Sequence, residues 1–272
     1  KVINFLFRDK YLKLLYREIN FQVLDDGCNF EGSTSYHSFL LETIIFTQIF
    51  LKRNNIFLPK KITKRILKMI HFNFSIIKSD NNIPIIGDND SGYFFHSIDD
   101  KINSYRNFLA SIFYNLTHHD KISKSYLIDN FIFIYSVEDI NKFFLKRKKY
   151  NIYSKSFING GYYIMRNNKD FLITSINKNI NMGTGGHHHN DSMSFELYSE
   201  EDLFISDPGC YTYSDKTLRN KFRSSKYHNI PVVDDKEINE LNFDNLFYLE
   251  NNTKTKIISW ETNSDYDLFH GK

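Results

Sequence analysis

The sequence predicts an α+β protein whose first half is helical and whose second half is antiparallel strands. Three observations carry that expectation. Apolar residues recur at three- and four-residue spacing as far as about residue 147. From about Tyr150 the pattern changes to short apolar or alternating runs separated by turn residues. A block of helices followed by a block of strands fits two layers or two domains, not a doubly wound sheet.

The elements follow in order. From about Asn4 to Val23, the residues Leu6, Tyr11, Leu14, Leu15 and Ile19 share one helical face. His37 to Lys52 repeats the pattern with Phe39, Leu40, Thr43, Ile44, Thr47 and Ile49. A third helix follows Pro59, a residue suited to a helix start, and carries Ile66, Met69 and Ile70. Further helices are expected at Ser104–Asn115, Lys124–Ile134 and Val137–Arg147. The boundary falls near residues 148–156. Strands are then expected at Tyr162–Met165, Phe171–Ser175, Met193–Tyr198, Leu203–Ser206, Pro231–Val233 and Ile257–Trp260.

Composition narrows the functional classes. Of 272 residues, 41% are hydrophobic, enough for one or two domains with real cores. Aromatics reach 17%, with 26 Phe and 18 Tyr; core packing accounts for most, and such rings also line sugar-binding clefts. The net charge of +3 is spread along the chain, which does not call for nucleic acid and is compatible with an anionic substrate. The run Lys146–Lys149 reads as a solvated helix end. Two cysteines, Cys28 and Cys210, make neither a disulfide framework nor a cysteine-based zinc finger. No apolar run approaches the roughly 18 residues of a membrane span. The chain opens at Lys1 without a methionine and reads as a processed chain or a fragment, so the lack of a visible signal peptide carries no information about compartment.

Two loops in the helical half are dense in Gly, Asp, Asn and Ser: residues 25–37 and residues 83–92. The second holds Asp88 and Asp90 near Gly87 and Gly92, which suggests a calcium loop but lacks the full EF-hand ligand series, so a structured turn is favoured. In the first, Tyr36-His37 opens a helix. Ser35 is the expected cap, with Tyr36 packing and Glu31 solvated, although a nearby cation would suit the tyrosine for acid–base work.

The densest chemistry lies in Gly186-His187-His188-His189-Asn190-Asp191. In an extended segment His187 and His189 share a face and His188 points away. Metal sites gather imidazoles and carboxylates from separate segments, and Asp207 in Ser-Asp-Pro-Gly and His228 in Lys-Tyr-His-Asn are the partners at hand. Spacing alone leaves open both a metal site and an exposed loop.

Five segments, in order, resemble the heparinase II/III-like polysaccharide lyases and related alginate lyases. They are Asp26–His37, Pro84–Gly92, Gly186–Leu197, Asp207–Tyr211 and Arg223–Asn229. The resemblance implies a partial α/α toroid over residues 1–150, followed by an antiparallel β-sandwich domain over residues 151–272 that stops mid-sandwich. It implies a bacterial carbon–oxygen lyase that cleaves a uronate polysaccharide, such as a glycosaminoglycan, by β-elimination. Tyr36 and His187 match the catalytic pair. His189, Asp207 and His228 match zinc ligands, with zinc in a supporting role. Tyr211 matches a pocket tyrosine that contacts substrate, while Glu31 and His37 fall to substrate binding or support of the Tyr36 loop. The family's carboxylate-neutralising Asn would lie upstream of Lys1. The resemblance also favours a periplasmic or secreted protein, with a cytoplasmic one left open, and brings Cys28 and Cys210 toward one cleft where a disulfide is conceivable. The rival readings are a non-catalytic glycan-binding or surface-polysaccharide biosynthesis protein of the same fold, and a zinc hydrolase, which lacks a His-Glu-x-x-His helix.

Overall fold

The computed structural model describes residues 2–89, 92, 94, 102–117, 123–200 and 202–272, with side chains described from residue 8 except at 102–105 and 181. Helices come first: α1 (Val2–Gln22), α2 (Thr34–Arg53), α3 (Lys60–Ser75) and α4 (Ile102–Tyr114). A short strand β1 (Leu116–Thr117) follows, then α5 (Lys124–Phe131), α6 (Val137–Lys146) and β2 (Lys148–Lys149), which pairs with β1 in parallel.

Local chemistry sets the helix ends. The expected cap Ser35 lies inside α2; Ser33 is the cap, and its hydroxyl accepts from the Tyr36 amide at 3.1 Å. α3 starts after Pro59 and buries Ile62, Ile66, Met69 and Ile70 along one face. α6 opens with a capping box formed by Ser136 and Asp139. α5 ends at Phe131, short of the expected Ile134, and turn bonds such as Tyr135 N–H to the Phe131 carbonyl reverse the chain before Ser136.

The second half forms an antiparallel meander in sequence order: β3 (Lys155–Phe157), β4 (Tyr162–Arg166), β5 (Asp170–Ser175), β6 (Phe195–Ser199) and β7 (Asp202–Ile205). Helix α7 (Lys216–Phe222) follows, and a separate antiparallel pair, β8 (Ile257–Thr262) and β9 (Asp267–Gly271), closes the chain. The expected strand at Pro231–Val233 is absent. Val233 is exposed, and Asp234 and Asp235 both take positive φ, which turns the chain where a strand would continue.

The sheet is covered on both sides. Tyr162 and Ile164 join the core beneath the helices, where the Phe72 ring meets Phe157 and Tyr162 at 4.9 Å each. Tyr163, pointing the other way, packs on Trp260 and Phe269 of the β8–β9 pair. The helical and strand halves therefore share one apolar core that runs across the expected boundary near residue 150. The described residues give one five-stranded sheet with a two-stranded pair over it. Cys28 and Cys210 are buried free thiols and form no disulfide.

Candidate active site

Three irregular segments meet where α2 begins. Ser33 and Thr34 do more than start the helix: the Ser33 hydroxyl donates to the Asp88 carbonyl, and the Thr34 hydroxyl donates to the Pro84 carbonyl at 2.7 Å. The Asp88 amide donates to the His187 carbonyl at 3.0 Å. The loop of residues 83–89 is thus held between the head of α2 and the histidine segment. Gly87 is required there, because its φ is +69° and a Cβ would sit 2.5 Å from the His187 carbonyl.

The histidine segment is a turn, not an extended strand. His187 and His189 nevertheless converge, one on each oxygen of Asp88: His187 Nδ1 lies 2.9 Å from Oδ2 and His189 Nε2 lies 2.8 Å from Oδ1. His188 is buried against Gly32, whose Cβ, if present, would come within 2.0 Å of its Nε2. Both His188 ring nitrogens are buried without a hydrogen-bond partner.

On the open side, the Tyr36 ring stacks on the His187 ring with centroids 3.7 Å apart and planes 22° from parallel. His187 faces a cavity of about 290 Å³ lined also by Phe30, Glu31, the 183–186 turn and Phe247. Burial raises the Glu31 carboxyl above the usual range, partly offset by the neighbouring His187.

On the buried side, the side chains of Asp88, His189 and Arg219 are fully enclosed. Arg219, from α7, grips Asp88 with both terminal nitrogens, at 2.5 Å to Oδ1 and 2.9 Å to Oδ2. Burial pushes the Asp88 carboxyl up, but hydrogen bonds from His187 and His189 and the Arg219 charge outweigh it and hold the group well below the carboxylate range. Beyond His189, one ligand atom each from His189, Asp207 and His228 lie within 4.8 Å of one another. His228 Nδ1 bonds Asp207 Oδ2 at 2.6 Å. Burial disfavours charge on His228, yet the Asp207 bond and the charges of Asp191 and Asp207 raise it above its ordinary value.

The residues present fit a metal. His189 Nδ1 and His228 Nε2 are buried and make no hydrogen bond, a costly condition for a polar atom that a metal ion relieves.

The structure thus places His187 and Glu31 at the cavity with Tyr36 stacked on His187, and brings His189, Asp207 and His228 together. Two expected residues are elsewhere. His37 is buried; its Nδ1 accepts from the Asn29 amide and its Nε2 donates to the Met69 carbonyl, so it fastens the 25–33 loop to α3 and cannot touch substrate. Tyr211 is 70% exposed and stacks on Phe222. Tyr213, two residues on, supplies the inward ring, against Phe247 and beneath the Arg219 guanidinium. Burial, then the Asp88 charge and the Tyr36 hydroxyl, push its phenol far above the usual range. Asp90 of the suggested calcium loop lies outside the described residues, and the Asp88 carboxylate is already fully engaged.

Two family profiles cover most of the chain: heparinase II/III N-terminus over residues 7–115, and heparinase II/III-like, C-terminal, over residues 151–258. The chain belongs to the heparinase II/III-like family. It is similar to a heparin-sulfate lyase of Pedobacter heparinus, 25% identical over an aligned length of 271, with coverage of 96% of this chain and 35% of that protein. Among solved structures it resembles a heparan sulfate lyase from the same organism, with TM-score 0.65, 24% identity, and coverage of 96% of this chain and 36% of that one. A heparinase III structure gives TM-score 0.68 at 20% identity, over 97% and 37%. The chain spans about a third of the length of these relatives.

Proposed function

We propose that this chain carries the catalytic corner of a polysaccharide lyase that cleaves a uronic-acid polymer by β-elimination. The observation that carries the reading is the Tyr36–His187 stack at the mouth of a cavity, with His187 anchored from behind by Asp88. Sulfated glycosaminoglycans of the heparin and heparan type are the first substrates to try, because lyases of those polymers are the named relatives.

In this reaction a base takes the proton from C5 of the uronate, the C–H electron pair becomes the C4–C5 double bond, and the C4–O4 bond breaks. Tyr36 exchanges the proton, as base toward C5 or as acid toward O4, according to the sugar's stereochemistry. Charge accumulates on the uronate carboxylate. His187 keeps its Nδ1–H on Asp88 and turns Nε2 toward that charge, where a proton taken up at Nε2 would answer it. Glu31 and Phe247 shape the walls that receive the sugar. His189, Asp207 and His228 would hold zinc, which when bound supplies a fixed positive charge that orders the wall behind His187. Work outside the cytoplasm, in the periplasm or after secretion, goes with such a polymer.

The full-length protein, incubated with heparin, heparan sulfate, alginate and capsule polymers, is expected to raise ultraviolet absorbance as unsaturated uronate ends form. Tight binding of a polymer with no absorbance rise, on zinc-loaded protein, would replace the lyase reading with a glycan-binding one.

A further inference from the structure

One carboxylate touches both sides of the site. The Asp88 side chain is fully buried; Oδ2 meets His187 Nδ1, Oδ1 meets His189 Nε2, and Arg219 spans both oxygens. Its backbone adds two more ties, to the Ser33 hydroxyl and the His187 carbonyl. Every hydrogen-bonding atom of Asp88 is therefore spent on the elements that carry Tyr36, His187 and His189.

The contacts also decide which ring nitrogens hold protons. A carboxylate only accepts and a guanidinium only donates. His189 Nε2 lies 2.8 Å from Asp88 Oδ1 and 3.0 Å from Arg219 Nη1, so it can hydrogen-bond one of them, not both. If Nε2 were bare toward Arg219, its lone pair would face the carboxylate oxygen, and Nδ1 would carry a buried hydrogen with no acceptor. If Nε2 carries the proton, it makes a charge-assisted bond to Asp88, and Nδ1 is left as a bare lone pair facing Asp207 and His228. The second arrangement satisfies more atoms. For His187 the same carboxylate requires a proton on Nδ1, which leaves Nε2 to the cavity.

We propose that Asp88, gripped on both oxygens by Arg219, is a positioning residue that holds His187 and His189 with opposite ring nitrogens protonated toward it, so that one carboxylate sets both the ring stacked on Tyr36 and the ring turned toward Asp207 and His228. This rests on the proposed lyase reading only for the kinetic result below.

Long-range proton–nitrogen NMR on histidine-labelled protein tests it, with signals assigned through His187→Gln and His189→Gln. The expected wild-type spectrum has His187 protonated at Nδ1, and His189 protonated at Nε2 with Nδ1 bare. In Asp88→Asn the carboxamide has one accepting atom and one donating group, so at least one ring changes its protonated nitrogen. Zinc affinity is expected to fall roughly 10–100-fold, as for other residues that orient metal ligands. On the proposed substrates, kcat falls while KM is nearly kept. Glu42→Gln, which breaks the buried Glu42–Arg106 pair in the helical half, controls for generic loss of a buried ion pair and is expected to leave both rings and zinc affinity unchanged. The proposal is overturned if wild-type His189 carries its proton on Nδ1, or if Asp88→Asn keeps both ring states and its zinc affinity. If Asp88→Asn does not fold, the wild-type spectrum decides alone. Failure of the lyase assay leaves the ring and zinc results standing.

Discussion

His37 and His189 are both fully enclosed histidines, and they differ in one respect. Each His37 ring nitrogen has a backbone partner, the Asn29 amide on one side and the Met69 carbonyl on the other. His189 has a partner at Nε2 and none at Nδ1, and across from it His228 also keeps one buried nitrogen idle. Burial alone therefore does not separate a structural imidazole from a working one. What sets His189 and His228 apart is that each keeps an unpaired buried nitrogen while one ligand atom each from His189, Asp207 and His228 lie within 4.8 Å of one another, as a metal ion requires.

The largest expected effects fall on the His187–His189 segment and its neighbours. Tyr36→Phe and His187→Ala are expected to lower kcat by roughly 10²–10⁴-fold, the usual worth of a positioned proton-transfer group. His189→Ala and His228→Ala are expected to lose bound zinc by elemental analysis, whereas His37→Ala keeps it. Zinc loss in His37→Ala with retention in the other two would break the comparison outright.

Next comes the packing that holds both histidine regions. Phe72→Ala removes a fully buried ring that meets His37, Phe157 and Tyr162, and is expected to cost about 3–5 kcal/mol in denaturant unfolding.

The satisfied histidine should declare itself in acid. Burial holds the folded His37 ring neutral down to about 4, against the bond to the Met69 carbonyl, which favours charge. The unfolded ring takes its proton near 6.5. Between those values the unfolded state binds more protons, so stability falls as pH drops through the window, by about 3 kcal/mol from this one group. His37→Gln is expected to flatten that part of the stability–pH curve, and an unchanged curve would mean that the ring is not held neutral.

The smallest effect has the opposite sign. Burial pushes the Glu196 carboxyl up to about 7, despite the Ile85 amide and Lys78, which favour its charged form. The folded state then holds a proton that the unfolded state releases near 4.5, and stability falls as pH rises from about 4.5 to 7. Glu196→Gln should gain about 2 kcal/mol at pH 8, discounted for incomplete burial, and nothing at pH 4.

Much of this arrangement was legible in the residues. Periodicity located α1 to α6 within a few residues, although in α1 the expected face is only partly buried: Ile19 is enclosed and Tyr11 is exposed. That His189, Asp207 and His228 belong together, and Tyr36 with His187, was legible because rare residue types clustered in segments matching a family order. Three kinds of feature escaped. Strands β3 and β9 are short and half exposed, so no apolar run marks them. Tyr213 and Tyr211 are the same residue two positions apart, and residue type alone does not tell which packs inward; the backbone takes a positive φ of +57° at Tyr211. Arg219 had no signal: it sits among Lys216, Lys221 and Arg223 like any basic helix face, and only the tertiary approach of Asp88 sets it apart. Asp88 was visible as a polar-loop carboxylate, but its role needed partners that lie 99 to 131 residues away in the chain.

That distance has a consequence for the order in which the protein comes into being. Asp88 is synthesised 131 residues before its guanidinium partner, a delay of roughly 7–26 s at ordinary ribosomal speed. Throughout that interval the carboxylate has no cation, and an unpaired charge is too costly to bury. The corner where Ser33, Asp88 and the histidine turn meet must therefore stay wet on the nascent chain while the helical core behind it is free to pack. Arrival of α7 is the event that lets the corner dry and close, so this corner is completed only after most of this chain has been made.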